Sequence, residues 1–200
     1  VSGNQSIGAD HFEALYRRSE DPWGFATSAY ESEKYRDTIA ALGSERARTA
    51  LEVGCSIGVL TRALASVCDR LVATELSPTV LDRARRRCAD LTNIQFVLAR
   101  GLADGFDRPF DLIVLSEIVY YWGDPDIALV GAAIDRWLQP GGRVLLVHWL
   151  GETNYPKTAD DAVTALHGQL RDLRIVRQAR RGAYRLDLWR RADQARRITA

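Results

Sequence analysis

Residues 51–58 read Leu51-Glu52-Val53-Gly54-Cys55-Ser56-Ile57-Gly58, an apolar strand pattern that runs directly into a turn of small residues. A helical pattern follows. Glycines at 54 and 58 remove the side chains that would hold backbone away from a ligand, and open α/β sheets take ligands at the carboxyl ends of strands where strand order reverses. A dinucleotide fingerprint starting at Gly54 needs glycines at 56 and 59, where the chain has Ser56 and Val59. A P-loop is excluded, because no Gly-Lys-Ser or Gly-Lys-Thr follows. On its own the turn also fits a purely structural role.

Outward from this segment, short runs at 50–53, 71–74, 94–98, 110–116 and 143–148 are rich in Val, Leu and Ile and bounded by Gly, Pro or Asp. They read as buried strands. The stretches 58–65, 78–90 and 125–138 are long enough to cross over as helices, so the pattern predicts a parallel sheet. Ser77 before Pro78 is a helix start, since a Ser oxygen accepts an orphan N–H and Pro suits the first turn. Residues 174–178 and 183–189 alternate apolar and charged residues around Arg181-Gly182, which predicts an antiparallel hairpin. Residues 11–18 and 30–42 read as amphipathic helices around a loop, 19–28, carrying Asp21-Pro22-Trp23-Gly24. We expect residues 1–45 to form a cap over the ligand end of one domain, with 46–200 as its core.

The composition fits a single α/β domain: 200 residues, 46% hydrophobic and 26% charged. A chain of this size builds a core without disulfide or metal staples. No apolar run approaches the roughly 20 residues of a membrane span. Residues 1–10 carry no basic start followed by an apolar stretch, so no secretory signal is expected and the expected compartment is the cytoplasm. With no Met and Val1 first, we expect the translated product to begin before Val1. Cys55, Cys68 and Cys88 fit neither a redox pair nor zinc spacing and read as small buried residues. His11, His148 and His167 are scattered, so no metal is expected. A formal net charge of +1 gives no nucleic-acid footprint. Residues 171–200 carry ten Arg against three Asp, read as the solvated face of the hairpin.

Glu75 ends the second strand, where a carboxylate can accept hydrogen bonds from ribose hydroxyls. Together with the glycine turn it reads as a nucleoside site, a feature common to several cofactors. Glu52-x-Gly54-x-Ser56-x-Gly58, Glu75, Phe110-Asp111-Leu112-Ile113 and Leu138-Gln139-Pro140-Gly141-Gly142, in this order, resemble the class I S-adenosylmethionine-dependent methyltransferases over about residues 49–149. The resemblance implies a Rossmann-like, doubly wound, seven-stranded sheet, mostly parallel, whose C-terminal antiparallel hairpin agrees with the pattern around Gly182. It implies S-adenosyl-L-methionine as donor, S-adenosyl-L-homocysteine as product and no metal. Gly54, Ser56 and Gly58 would then face the amino-acid end of the cofactor, Glu75 its ribose, and Leu76, Gly101 and Leu102 its adenine. Ser116 would lie by the methionine portion. Arg100 departs from the Asp frequent in that family, and Ser56 replaces its middle glycine.

A narrower resemblance lies outside this core. Tyr16-Arg17-Arg18, the run from Asp21-Pro22-Trp23-Gly24 to Tyr30-Glu31, Lys34-Tyr35-Arg36 and Ser116-Glu117-Ile118-Val119-Tyr120-Tyr121-Trp122 resemble the nodulation protein S family. This implies N-methylation of the free amine at the non-reducing end of a partly deacetylated chitooligosaccharide in rhizobial Nod factor synthesis. Trp23, Tyr30, Tyr120 and Tyr121 are the candidates for the acceptor site; the alternative for the cap aromatics is packing. The sulfonium methyl is already activated, so the protein has chiefly to align a neutral amine and exclude water. Glu117 and His148, at the ends of the fourth and fifth strands, are the candidate proton acceptors. Arg36 is the candidate cation for the cofactor carboxylate, and residues 19–35 are expected to become ordered when cofactor binds. The competing readings are a methyltransferase for another small amine or hydroxyl acceptor and a noncatalytic nucleoside-binding regulatory module.

Overall fold

Successive residues of the central strands point to opposite faces and both sets are apolar, which places helices on each side. The computed structural model describes residues 5–99, 106 and 109–193. Leu51 of β1 (Ala47–Val53), Ile113 and Leu115 of β4 (Phe110–Ser116) and Val144 and Leu146 of β5 (Leu138–Trp149) share one core cluster with α5 (Asp124–Trp137) and α6 (Ala159–Gln169). Ile134, Trp137, Val163 and Leu166 are the helix side of that layer. The intervening residues, Ala50, Leu112, Val114, Leu145 and Val147, pack with Leu60 and Leu64 of α3 (Val59–Ala65) and Ala41 of α2 (Ala29–Ala41).

Across the sheet the order is β3 (Ile94–Leu98), β2 (Cys68–Glu75), β1, β4, β5, β7 (Tyr184–Arg191) and β6 (Leu173–Arg181). The first five are parallel and β7 is antiparallel to both its neighbours. This is the doubly wound, seven-stranded arrangement expected from the sequence. The chain leaves β1 for β2 and β3, then returns to place β4 on the other side of β1, so the order reverses between β1 and β4. The crevice at their carboxyl ends is the ligand position in such sheets.

Local chemistry fixes the flanking helices. α4 (Pro78–Arg87) starts where Ser77 Oγ accepts from Val80 N at 3.2 Å, and Leu81 and Ala84 pack on Cys55 and Ala73. Gly58, at φ +82°, caps α3; a Cβ there would stand 3.0 Å from the Ala84 Cα, so glycine lets α3 and α4 meet. α6 is an addition to the elements read from the sequence. It is capped by Thr158, whose Oγ1 accepts from Asp161 N at 3.1 Å, and it buries Ala162, Val163 and Leu166.

At the front, α1 (Ala9–Arg18) lies over the carboxyl edge of the sheet. Tyr16 packs with Ile57 and Val80, Glu13 accepts from the Ser77 and Thr79 hydroxyls, and Arg83 donates to the Tyr16 carbonyl at 3.2 Å. The C-terminal arginines divide into two sets. Those of β6 are largely solvent-facing, as expected, whereas on β7 Arg185 is buried against Asp187 at 2.8 Å and Asp160 at 2.6 Å, and Arg191 pairs with Asp135 at 2.5 Å. The expectation of one solvated basic face is corrected for β7: acidic partners on α5, α6 and β7 itself, and a place between β5 and β6, draw Arg185 and Arg191 inward.

Candidate active site

At the switch point lies a cavity of about 410 Å³, within the range of small-molecule and cofactor sites. Gly54 and Ser56 after β1, Glu75 and Leu76 after β2, and Ser116 and Glu117 after β4 line it from the sheet. α1 and the loop after it supply Phe12, Tyr16, Trp23 and Phe25; α2 supplies Tyr30, Glu31 and Lys34.

Glu75 organises the turn on which a ligand would rest. Its Oε2 accepts from Ser56 N at 2.9 Å and its Oε1 from Leu76 N at 2.8 Å and Ser77 N at 3.2 Å. Burial raises its pKa against the lowering effect of these three N–H donors. Ser56 adopts a left-handed φ of +49°, the conformation glycine takes most easily, and its hydroxyl bonds Tyr16 Oη. That contact explains a serine at this place: it ties the turn to α1. Volume and a buried carboxylate at the end of β2 fit a nucleoside-bearing cofactor, with Glu75 placed for vicinal hydroxyls.

Glu117 sits directly after β4 with φ +56° and is fixed at both carboxylate oxygens. Oε1 lies 2.5 Å from Lys34 Nζ, and Oε2 accepts from Tyr120 Oη at 2.5 Å and Trp149 N at 2.8 Å. Lys34 also contacts Glu31 Oε1 at 2.9 Å, and it is 1% exposed. Its Nζ lies 5.2 Å from the centroid of Tyr30 and 5.8 Å from that of Tyr35. Phe12, Tyr120, Tyr121 and Tyr155 stack edge-on or tilted in the adjoining wall, with centroids 4.6 to 5.1 Å apart for successive pairs. This end of the cavity is therefore apolar-walled and carries a compact carboxylate–ammonium–carboxylate group.

A family model described as Nodulation protein S matches residues 10–139. The chain belongs to the nodulation protein S family. Nodulation protein S of Rhizobium tropici is 31% identical over 140 residues, which cover 68% of this chain and 59% of that protein. Its counterpart in Sinorhizobium fredii NGR234 is 30% identical over 151 residues, 72% of this chain and 69% of that protein. The chain thus spans less than two thirds of the first relative's length. A crystal structure of N-methyltransferase NodS from Bradyrhizobium japonicum WM9 in complex with S-adenosyl-L-homocysteine has a TM-score of 0.79 with this chain at 24% identity, covering 90% of this chain and 97% of that one. The shared fold is that of a methyltransferase.

Within this family member the structure sorts the residues singled out from sequence. Gly54, Ser56, Glu75, Leu76, Ser116, Glu117, Trp23, Tyr30, Tyr120 and Tyr121 line one cavity. Gly58 does not; its role is the α3–α4 contact. Gly101 and Leu102 lie outside the described residues. Arg36 is corrected: it is exposed and lines a separate surface groove with Ser28 and Ser32. Two residues advance a helix by about 200°, so Arg36 faces away from the side that carries Lys34. Glu31 and Lys34, one turn apart, are the members sequence reasoning missed, although i,i+3 opposite charges were a readable signal. Among the described residues no group of three His, Cys, Asp or Glu side chains is arranged to hold a metal ion, and no helix is long and apolar enough to cross a membrane.

His148 is the second correction. It lies inside β5, paired with Arg185 of β7, and is 0% exposed. Its Nε2 accepts from Val119 N at 3.1 Å and it is not part of the cavity wall, so it holds the turn after β4 rather than reaching an acceptor. Burial depresses its pKa from 6.5 to about 4, whereas burial, reinforced by the Glu75 charge, lifts Glu52 from 4.5 to about 7. The unfolded chain protonates His148 near 6.5 and the folded one only near 4, so its contribution is complete above 6.5 and is lost as pH falls toward 4. Glu52 acts in reverse: its contribution is complete below 4.5 and is lost as pH rises through about 7. His148→Gln should therefore remove a pH-dependent contribution of roughly 3 kcal/mol and Glu52→Gln one of opposite slope. Urea unfolding from about pH 4 to 8 checks this, and curves parallel to wild type would refute it.

Proposed function

We propose that this chain is an S-adenosylmethionine-dependent N-methyltransferase that methylates the free amine at the non-reducing end of a partly deacetylated chitooligosaccharide in Nod factor synthesis. Residues 1–45 serve as the cap of a single domain whose core is 46–200, and the three free buried cysteines suit a reducing cytoplasm. The observation that carries the reading is one cavity bounded at β2 by a carboxylate suited to ribose and at β4 by a second carboxylate, with family membership supporting the chemistry.

When bound, S-adenosylmethionine supplies an activated methyl group. Glu75 would hold the ribose and the 54–56 turn the amino-acid end, and Ser116 borders the path toward Glu117. Trp23, Tyr16, Phe12 and Tyr121 close the cavity against water. Glu117, held by Tyr120 and Trp149 N, orients the acceptor nitrogen and takes its proton. Tyr30, 36% exposed, offers an aromatic face at the rim to a sugar ring.

Incubating the protein and donor with two oligomers, one fully acetylated and one with a single free non-reducing-end amine, tests the reading by mass spectrometry. Only the second should gain 14 mass units per transfer, about one methylene, because an acylated nitrogen has its lone pair delocalised into the amide. Equal transfer to both, or none to the free amine, would reject the acceptor, and a product on another small amine or on a hydroxyl would name its replacement.

A further inference from the structure

Glu31 is 6% exposed and lines the cavity, and one of its oxygens is accounted for: Oε1 receives Lys34 Nζ at 2.9 Å. Oε2 is buried and has no close hydrogen-bond partner among the described residues, although the Tyr35 phenol interacts with the Glu31 carboxylate. A buried carboxylate oxygen left without a donor is costly, and native structures supply one. Lys34 joins this carboxylate to Glu117 on the same wall, so two acids and one ammonium meet at a single place. With one cation for two anions, the group is short of one positive charge.

We infer that Glu31 and Glu117 together form the acceptor-amine pocket, the ammonium of the incoming substrate supplying the second cation between Glu31 Oε2 and Glu117. The inference rests on the methyl-transfer reading above and deepens it by assigning amine recognition to a residue of the cap. Lys34 is then a positioning residue: it holds the two carboxylates side by side and, as a like charge, favours release of the substrate's proton. That proton passes to a glutamate oxygen while the N–H electron pair stays on nitrogen. The nitrogen then bonds the methyl carbon, and the carbon–sulfur pair remains on sulfur.

The other titratable groups packed around the cluster do not compete for this role. Tyr30 and Tyr35 of α2 and Tyr120 are phenols that burial holds protonated, and Tyr184 of β7 is raised to about 12; Tyr35 and Tyr120 donate to Glu31 and Glu117, but as neutral groups they bring no second positive charge. His148 of β5 is neutral at physiological pH with the Arg185–Asp187 pair behind it, and Glu52 of β1 stands farther along the sheet and titrates at about 7.

Calorimetry on protein saturated with S-adenosylhomocysteine provides the test, using chitotetraose with one free non-reducing-end amine and the fully acetylated oligomer. Wild type should prefer the free amine by tenfold or more. Glu31→Gln should erase most of that preference and leave S-adenosylhomocysteine affinity within about twofold. Lys34→Met leaves two carboxylates to share one proton and should move the acid limb of the kcat/KM profile upward by a pH unit or more, a change that loss of packing alone does not produce. An unchanged preference in Glu31→Gln overturns the inference while the methyl-transfer reading stands. A Lys34→Met variant that loses S-adenosylhomocysteine affinity and keeps the wild-type pH profile overturns it too, assigning Lys34 to the cofactor. If wild type neither binds nor methylates either oligomer, the named acceptor is wrong, and titration with glucosamine decides the inference separately: binding weakened tenfold by Glu31→Gln supports it, and unchanged or absent binding overturns it.

Discussion

Glu117→Gln is expected to lower turnover of a free-amine acceptor by roughly 100-fold or more. The substitution keeps the side chain's shape, and an amide oxygen can still accept from Trp149 N and Tyr120 Oη, which now bond Oε2 at 2.8 and 2.5 Å. What it removes is the capacity to take a proton and the charge that meets Lys34. Single-turnover kinetics across pH check the prediction: the variant should be slowest relative to wild type where the amine is protonated and should recover as the neutral amine comes to predominate. Full turnover in a correctly folded variant would pass the proton directly to solvent and leave Glu117 a structural partner of Lys34.

Glu75→Ala should weaken S-adenosylhomocysteine binding by about tenfold to 150-fold, the equivalent of roughly 1.5 to 3 kcal/mol for a charge-assisted contact. The same carboxylate accepts from three backbone N–H groups, so the variant also strands the turn donors of Ser56, Leu76 and Ser77. Glu75→Gln separates the two effects, since it retains one acceptor for the turn and loses the charge. Calorimetry beside a thermal melt measures both. Near-wild-type affinity in a folded Glu75→Ala protein would remove this residue from the site.

Much of this arrangement is legible in the chain because the strands are buried on both faces and leave short, uniform apolar runs ending at Gly54, Glu75 and Glu117. Strand ends are where such sheets bind ligands, so the sheet-borne half of the cavity follows from pattern and turn chemistry. The helical half is harder. Choosing between Lys34 and Arg36 requires the rotation of α2 about its axis, and α2 mixes polar residues onto its buried side: Glu31, Lys34 and Thr38 are all buried. His148 is a strand-end residue in the structure as in the sequence, one place before the last residue of β5, and it is lost to the cavity because β7 pairs alongside it and the turn after β4 covers it. The Thr158 cap and the apolar spacing of Ala162, Val163 and Leu166 were readable signals for α6.

Among the described residues three non-glycine residues have left-handed backbone, and two of them, Ser56 and Glu117, belong to the cavity wall. L-residues resist this conformation by about 1 to 2 kcal/mol each, and glycine does not. Selection for thermal robustness alone would therefore drive both positions toward glycine, erasing the tie to α1 at one and the carboxylate at the other. Stability and activity here impose opposite preferences at the same two codons. A library ranked only by how well its members survive heating would discard both side chains, and on the proposed roles of Ser56 and Glu117 its winners would be sturdy, well-folded and inert.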